Sequence, residues 1–235
     1  MKHSKLKHAS LGLALMACAA ASQAGTLTLS NWAYGSVGVN VTFGSSTYSG
    51  GGGGAFTGSL TGAGIHDRNP LLTYCTEIDQ HFGFGQSYTD YTITTAEAYF
   101  GSTKALALAR MFSWAAADAT RVDSAIESTA MQLAVWNIVY DTDLTVSSGS
   151  FRFNDATATA SDLYADTLLA AAGNAGQAQT QYMYLLHSGP PNNRQDQLFW
   201  EPIGNQDDNG RIPEPGSMAL AGIALAALVL GRRRA

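Results

Sequence analysis

Two residues carry the chemistry this chain could perform. Cys75 lies in Thr73-Tyr74-Cys75-Thr76-Glu77-Ile78-Asp79, and Gln132 lies in Ala130-Met131-Gln132-Leu133-Ala134-Val135-Trp136. The only other cysteine, Cys18, falls in an N-terminal segment that reads as removed on export. An exported chain normally pairs its cysteines, so a single one left over points to a partner of another kind. A thiol can attack a glutamine side-chain amide, expel ammonia and leave an internal thioester. An amide is a poor electrophile, so the fold must hold the two groups in contact, where effective molarities reach about 10⁵–10⁸ M. It must also keep water out, because a thioester hydrolyses far more easily than an amide. Asp79 and His81, close behind the cysteine, are the nearby candidates to shuttle the proton.

Two other chemistries fit the same residues. Cys75 could be the nucleophile of a cysteine hydrolase, with His66, His81 or His187 as base, although none of these sits in a recognisable catalytic motif. Alternatively Cys75 is an inert small hydrophobe in a non-covalent matrix or glycan-binding protein, with Trp32, Tyr34, Trp114 and Trp200 offering a face on which sugars stack.

The elements that must position the pair are legible in outline. Thr26 to Thr61 is strand-like, with Val37, Val39 and Val41 recurring every second residue. Gly50 to Gly54 reads as a flexible linker, since no Lys-Ser/Thr follows to make a phosphate loop. A second strand region covers Leu71 to Ile78, His81 to Gly85 and Tyr88 to Ile93, and so carries Cys75. Thr94-Thr95-Ala96-Glu97 is a helix start. Residues 102–119 form an amphipathic helix with Leu106, Ala109, Phe112 and Ala116 at three- and four-residue steps. Asp123 or Ser124 caps another helix over 125–140, whose later half is apolar all round and hence buried on every side. A buried amide there must find partners or react. A third helix is expected over 156–172, with strands over 180–186 and 195–200. The expected class is α+β, a β-sandwich or barrel portion carrying Cys75 packed against a helical portion carrying Gln132.

The two ends decide the compartment. A basic start, an apolar stretch from Leu11 to Ala21 and Ser22-Gln23-Ala24 make residues 1–24 a cleavable signal peptide. A lipoprotein site at Leu15-Met16-Ala17-Cys18 is the weaker alternative, because Met16 fits it poorly. Residues 25–202 form the surface domain and 203–212 an exposed, polar tether. The tail, 213–235, runs Pro213-Glu214-Pro215, a short apolar segment, then Arg232-Arg233-Arg234. That order resembles the PEP-CTERM sorting signal of Gram-negative bacteria. The resemblance implies processing by signal peptidase and exosortase, transient inner-membrane association through the C-terminal helix, and delivery to the cell surface or polysaccharide matrix.

Tyr74-Cys75 and the segment ending at Trp136 resemble the paired motifs of the Cys-Gln thioester domains of bacterial surface proteins. Met131 stands where Thr often precedes the Gln, and Asp79 follows the Cys later than the usual Asp. The resemblance implies that Cys75 and Gln132 form the cross-link, with Tyr74, Ala134, Trp136, Asp79 and His81 in support. It implies covalent, adhesin-like attachment to amine or hydroxyl groups on a target, without turnover, so no enzyme and no cofactor. Composition narrows the partners further. Only 13% of residues are charged, the net charge is −5, and six of the thirteen Lys and Arg residues sit in the two ends. Nucleic acid is therefore excluded as a partner, and no Cys/His or Asp spacing fits zinc or calcium.

Overall fold

The computed structural model describes residues 24–141, 143–154, 159–192 and 194–204. All but the last residue of the expected signal peptide, most of the expected tether and the sorting tail lie outside the described residues. The strands are β1 (Ala24–Trp32), β2 (Val37–Phe43), β3 (Ser46–Gly53), β4 (Phe56–Thr61), β5 (Arg68–Cys75), β6 (Ser87–Thr95), β7 (Phe151–Phe153), β8 (Gln181–His187) and β9 (Gln197–Pro202). The helices are α1 (Ala96–Phe100), α2 (Ser102–Ala116), α3 (Ala125–Tyr140) and α4 (Ala160–Gly173).

Six strands close a barrel in the order β1-β4-β5-β9-β8-β6, every pair antiparallel. A second sheet has the order β3-β2-β7. Both excursions leave and re-enter at neighbouring barrel strands. The β2–β3 hairpin lies between β1 and β4, and all four helices lie between β6 and β8. The chain is thus mostly β, which overturns the expected α+β class of a β portion set against a separate helical one. The physical reason is closure. Strands β8 and β9 follow the last helix yet pair with β6 and β5, so the helices fill one long connection within a barrel that early and late strands complete together.

Local signals explain most elements. Ser124 caps α3, accepting from the Glu127 amide while the Glu127 carboxylate accepts the Ser124 amide in return. Thr95 caps α1 through its hydroxyl, which accepts the Ala98 amide, but Gly101, at φ +85°, breaks the run before α2 starts. Along α2 the buried residues are Leu108, Ala109, Met111, Phe112 and Ser113, which include the expected Ala109 and Phe112 but not Leu106 and Ala116, because the helix packs on α4 and β8 through that side. Helix α3 is buried from Ser128 to Ile138, between α4, the second sheet and β5.

The Gly50–Gly54 reading needs correction. Gly50 to Gly53 end strand β3, where Gly51, Gly52 and Gly53 pair with Val39, Gly38 and Val37 of β2, and do not form a linker. At Gly52 and Gly53 the lack of a side chain is a packing requirement. A Cβ on Gly52 would stand 2.7 Å from the Trp32 ring, and one on Gly53 3.1 Å from Thr129 Cγ2. The second strand region is also shorter than expected: β5 stops at Cys75, and His81 to Gly85 belong to the irregular connection before β6.

Candidate functional site around Cys75 and Gln132

Cys75 occupies the last position of β5, where the barrel ladder thins out. Strand β4 begins at Phe56, opposite Thr73, so Cys75 lies beyond its reach. On the other edge β9 continues, and the Thr76 amide donates to Asp196 O at 3.0 Å. Backbone groups alternate edges along a strand, so the Cys75 N–H and C=O face the edge that β4 has left. Gln132 from the middle of α3 takes that place. Its Oε1 accepts from the Cys75 amide at 3.1 Å and its Nε2 donates to the Cys75 carbonyl at 2.7 Å. The carboxamide thus behaves as one extra residue of β4. The same Oε1 lies 3.3 Å from Cys75 Sγ. Cys75 is 3% exposed and Gln132 not at all.

Helix α3 is held at this edge by two neighbours of Gln132. Ser128 Oγ accepts the Ala55 amide at 2.7 Å. Thr129 Oγ1 accepts the Val37 amide at 3.0 Å and donates to Gly53 O at 2.7 Å. Ser128, Thr129 and Gln132 therefore satisfy strand-end groups of both sheets from successive turns of one helix, and this fixes where the amide sits. Neither Ser128 nor Thr129 belongs to the motifs read from the sequence, although a Ser-Thr-x-x-Gln set inside an apolar helix is a visible signal of one polar, partnered face.

The surroundings keep the pair neutral. Burial pushes the Cys75 thiol well above the ordinary cysteine range, opposed in part by the Cys75 amide and the Trp136 indole, while Glu77 adds to the rise. The Trp136 N–H has no hydrogen-bond partner, and its indole favours the charged form of the thiol. Tyr74 points away from Cys75 by strand alternation and packs with Phe112 and Trp200, at 5.8 and 6.0 Å between ring centroids. Burial also raises its phenol strongly. Ala134 is fully buried in the same helix as Gln132.

A cleft of about 490 Å³ reaches Cys75 and Trp136 from the surface. Trp32, Tyr48, Phe56 and Phe82 give it aromatic walls, and Thr47, Ser49, Gln80, His81 and Gln195 its polar atoms. His81 is thus brought to the site as a group on the cleft wall. Asp79 is exposed and is not among the lining residues. His66 and His187 are engaged elsewhere, with Glu201 at 3.1 Å and Asp196 at 2.7 Å, and neither lines the cleft. Of the four aromatic residues expected to offer a stacking face, only Trp32 belongs to it. Tyr34 and Trp200 line a different cavity of about 270 Å³, and Trp114 lies under Arg121, 4.1 Å from guanidinium to ring. Among the described residues, no group of three or more His, Cys, Asp or Glu could hold a metal ion.

Comparison with known proteins addresses the tail. Residues 211–234 match the PEP-CTERM protein-sorting motif, two residues wider at the start than the 213–235 read from the sequence. No curated protein matches the chain. Among the described residues no helix is long and apolar enough to cross a membrane; the apolar segment of the tail lies outside them. The motif marks the chain as an exported protein sorted to the cell surface by an exosortase.

Proposed function

We propose that Cys75 and Gln132 react with each other to form an internal thioester, through which the exported protein attaches covalently to a target surface. The observation that carries this reading is the buried contact itself: a free thiol stands 3.3 Å from the oxygen of a fully buried amide. Sγ attacks the Gln132 side-chain carbon, and the Cys75 N–H already on Oε1 stabilises the negative charge that develops there. The C–N bond breaks, and Nε2 leaves as ammonia with the thiol proton. The raised thiol makes the starting state a neutral S–H, so proton transfer accompanies attack and does not precede it. Burial then protects the product from water. A nucleophile on the target adds to the same carbon, the C–S bond breaks, and Cys75 recovers its thiol. Each molecule reacts once, so this is not turnover catalysis.

The test is the intact mass of the exported protein purified without amine buffers. A mass lower by one ammonia, restored by Cys75→Ala and by Gln132→Ala, and methylamine addition at position 132 are expected. The full mass with an unchanged Gln132 would refute the thioester. A second reading is favoured by the hydrogen bonds alone: Gln132 completes the open edge of β5, Cys75 is inert, and the protein is a non-covalent matrix or glycan-binding component. Under that reading Cys75→Ala leaves surface binding intact.

A further inference from the structure

The cleft that leads to Cys75 has a chemistry of its own. Among the described residues its lining holds no Asp, Glu, Lys or Arg. The walls are aromatic, with Trp32 and Phe56 rings 4.5 Å apart and Phe82 edge-on to Phe56 at 4.6 Å. Two buried polar atoms in the lining lack partners. Gln80 Oε1 is an acceptor without a donor, its amide orientation fixed by Nε2 donating to Glu77 at 2.9 Å. Trp136 Nε1 is a donor without an oxygen or nitrogen acceptor. Unsatisfied buried polar atoms are uncommon and call for a ligand or water.

We infer that the cleft admits a neutral carbohydrate chain and that the group captured by the thioester is one of its hydroxyls, an assignment that rests on the thioester reading. A sugar ring presents an apolar face to aromatic walls and hydroxyls around its edge. A hydroxyl both donates and accepts, so it can serve Gln80 Oε1 and Trp136 Nε1 alike. A lysine ammonium has no acceptor lone pair, and it would surrender its hydration in a cleft without a carboxylate. In the transfer, the hydroxyl oxygen bonds to the Gln132 carbonyl carbon and the C–S bond breaks. His81, the imidazole in the lining, accepts the hydroxyl proton and passes it to the Cys75 sulfur. The product is an ester at position 132 and a free thiol.

The experiment offers the intact exported protein maltoheptaose or Nα-acetyl-lysine methyl ester at equal concentration, with methylamine as a reference, and follows adduct mass. Faster addition of maltoheptaose than of the lysine ester is expected. Trp32→Leu should slow the sugar reaction roughly tenfold, the loss expected of one aromatic wall. His81→Ala should also slow it, and Trp32→Leu should lower the sugar rate far more than the methylamine rate, since methylamine is too small to use the aromatic wall. Faster lysine addition, or sugar and methylamine rates that fall equally in Trp32→Leu, would overturn the assignment. So would methylamine addition without any sugar ester, which leaves the thioester standing. No ammonia deficit and no methylamine addition would instead bring down the thioester reading, and this inference with it.

Discussion

Replacing Cys75 by alanine separates a cross-link from a contact, because the Gln132 hydrogen bonds go to the backbone of residue 75. Alanine keeps that N–H and C=O, so the clamp at the edge of β5 survives the change. What is lost first is one buried sulfur atom, worth about 1 kcal/mol in a packed core. If the thioester is present, the variant also loses a covalent link between residues 57 apart. Chain-entropy arithmetic for a loop of that size gives about 4 kcal/mol at 25 °C. Expulsion of Nε2 also removes the donor to the buried Cys75 carbonyl, at about 1–3 kcal/mol, so the cross-linked protein should exceed Cys75→Ala by about 2–4 kcal/mol, a difference of roughly 4–16 °C in Tm for a domain of this size. Without the cross-link the gap shrinks to about 1 kcal/mol, or roughly 2–4 °C. The assay is denaturant and thermal unfolding of samples whose mass has been measured. Methylamine-treated wild type is the internal control: its link is opened but its sulfur remains, so it should fall within about 1 kcal/mol of the variant. A sample lacking one ammonia that unfolds within about 1 kcal/mol of Cys75→Ala would be incompatible with a thioester between these two residues, since a real cross-link must constrain the unfolded chain.

Gln132→Ala leaves the Cys75 N–H and C=O buried without partners, at about 1–3 kcal/mol each, so it should destabilise the unlinked protein more than Cys75→Ala does; chemical denaturation of the two variants side by side checks this. Thr129→Val keeps the shape but removes the bonds to Val37 and Gly53, and a loss of about 1–3 kcal/mol is expected in urea melts. Gly52→Ala drives a Cβ to 2.7 Å from Trp32, so the ring must move; tryptophan emission should shift and stability drop by about 1–3 kcal/mol. Glu77 is held above the ordinary glutamate range, first by burial and then by the nearby Asp196 and Asp79 charges. A raised acid binds its proton more tightly folded than unfolded, so its ionisation weakens the fold as pH rises from the ordinary glutamate range through the raised value. Glu77→Gln should therefore gain stability relative to wild type as pH rises from about 4 to about 7, measured by urea unfolding across that window; a constant difference would contradict this.

Much of this protein is written in residue types and spacing. The lone cysteine beyond the N-terminal segment, the glutamine within an all-apolar helix, the cap at Ser124 and the two ends are local or compositional features, and each is readable without coordinates. The period-two valines of β2 and the burial of α3 are equally local, because they depend only on which faces of one element are apolar. Other features exist only once the chain has packed. Which strands neighbour one another is a matter of long-range pairing, so barrel closure by β8 and β9 leaves no trace in any single segment, and the helices read as a separate portion when they are one connection. The glycines of β3 look like a linker because their reason, the Trp32 ring and Thr129, comes from other elements. Contact between Cys75 and Gln132 depends on β4 beginning too late to pair with Cys75 and α3 filling the gap, a junction of three elements far apart along the chain. The cleft is likewise assembled from β1, β2, β3, β4, β5 and the loop after it, α3 and the residues before β9. No stretch of sequence contains it, because its walls become neighbours only when the hairpin, the barrel and the buried helix have packed.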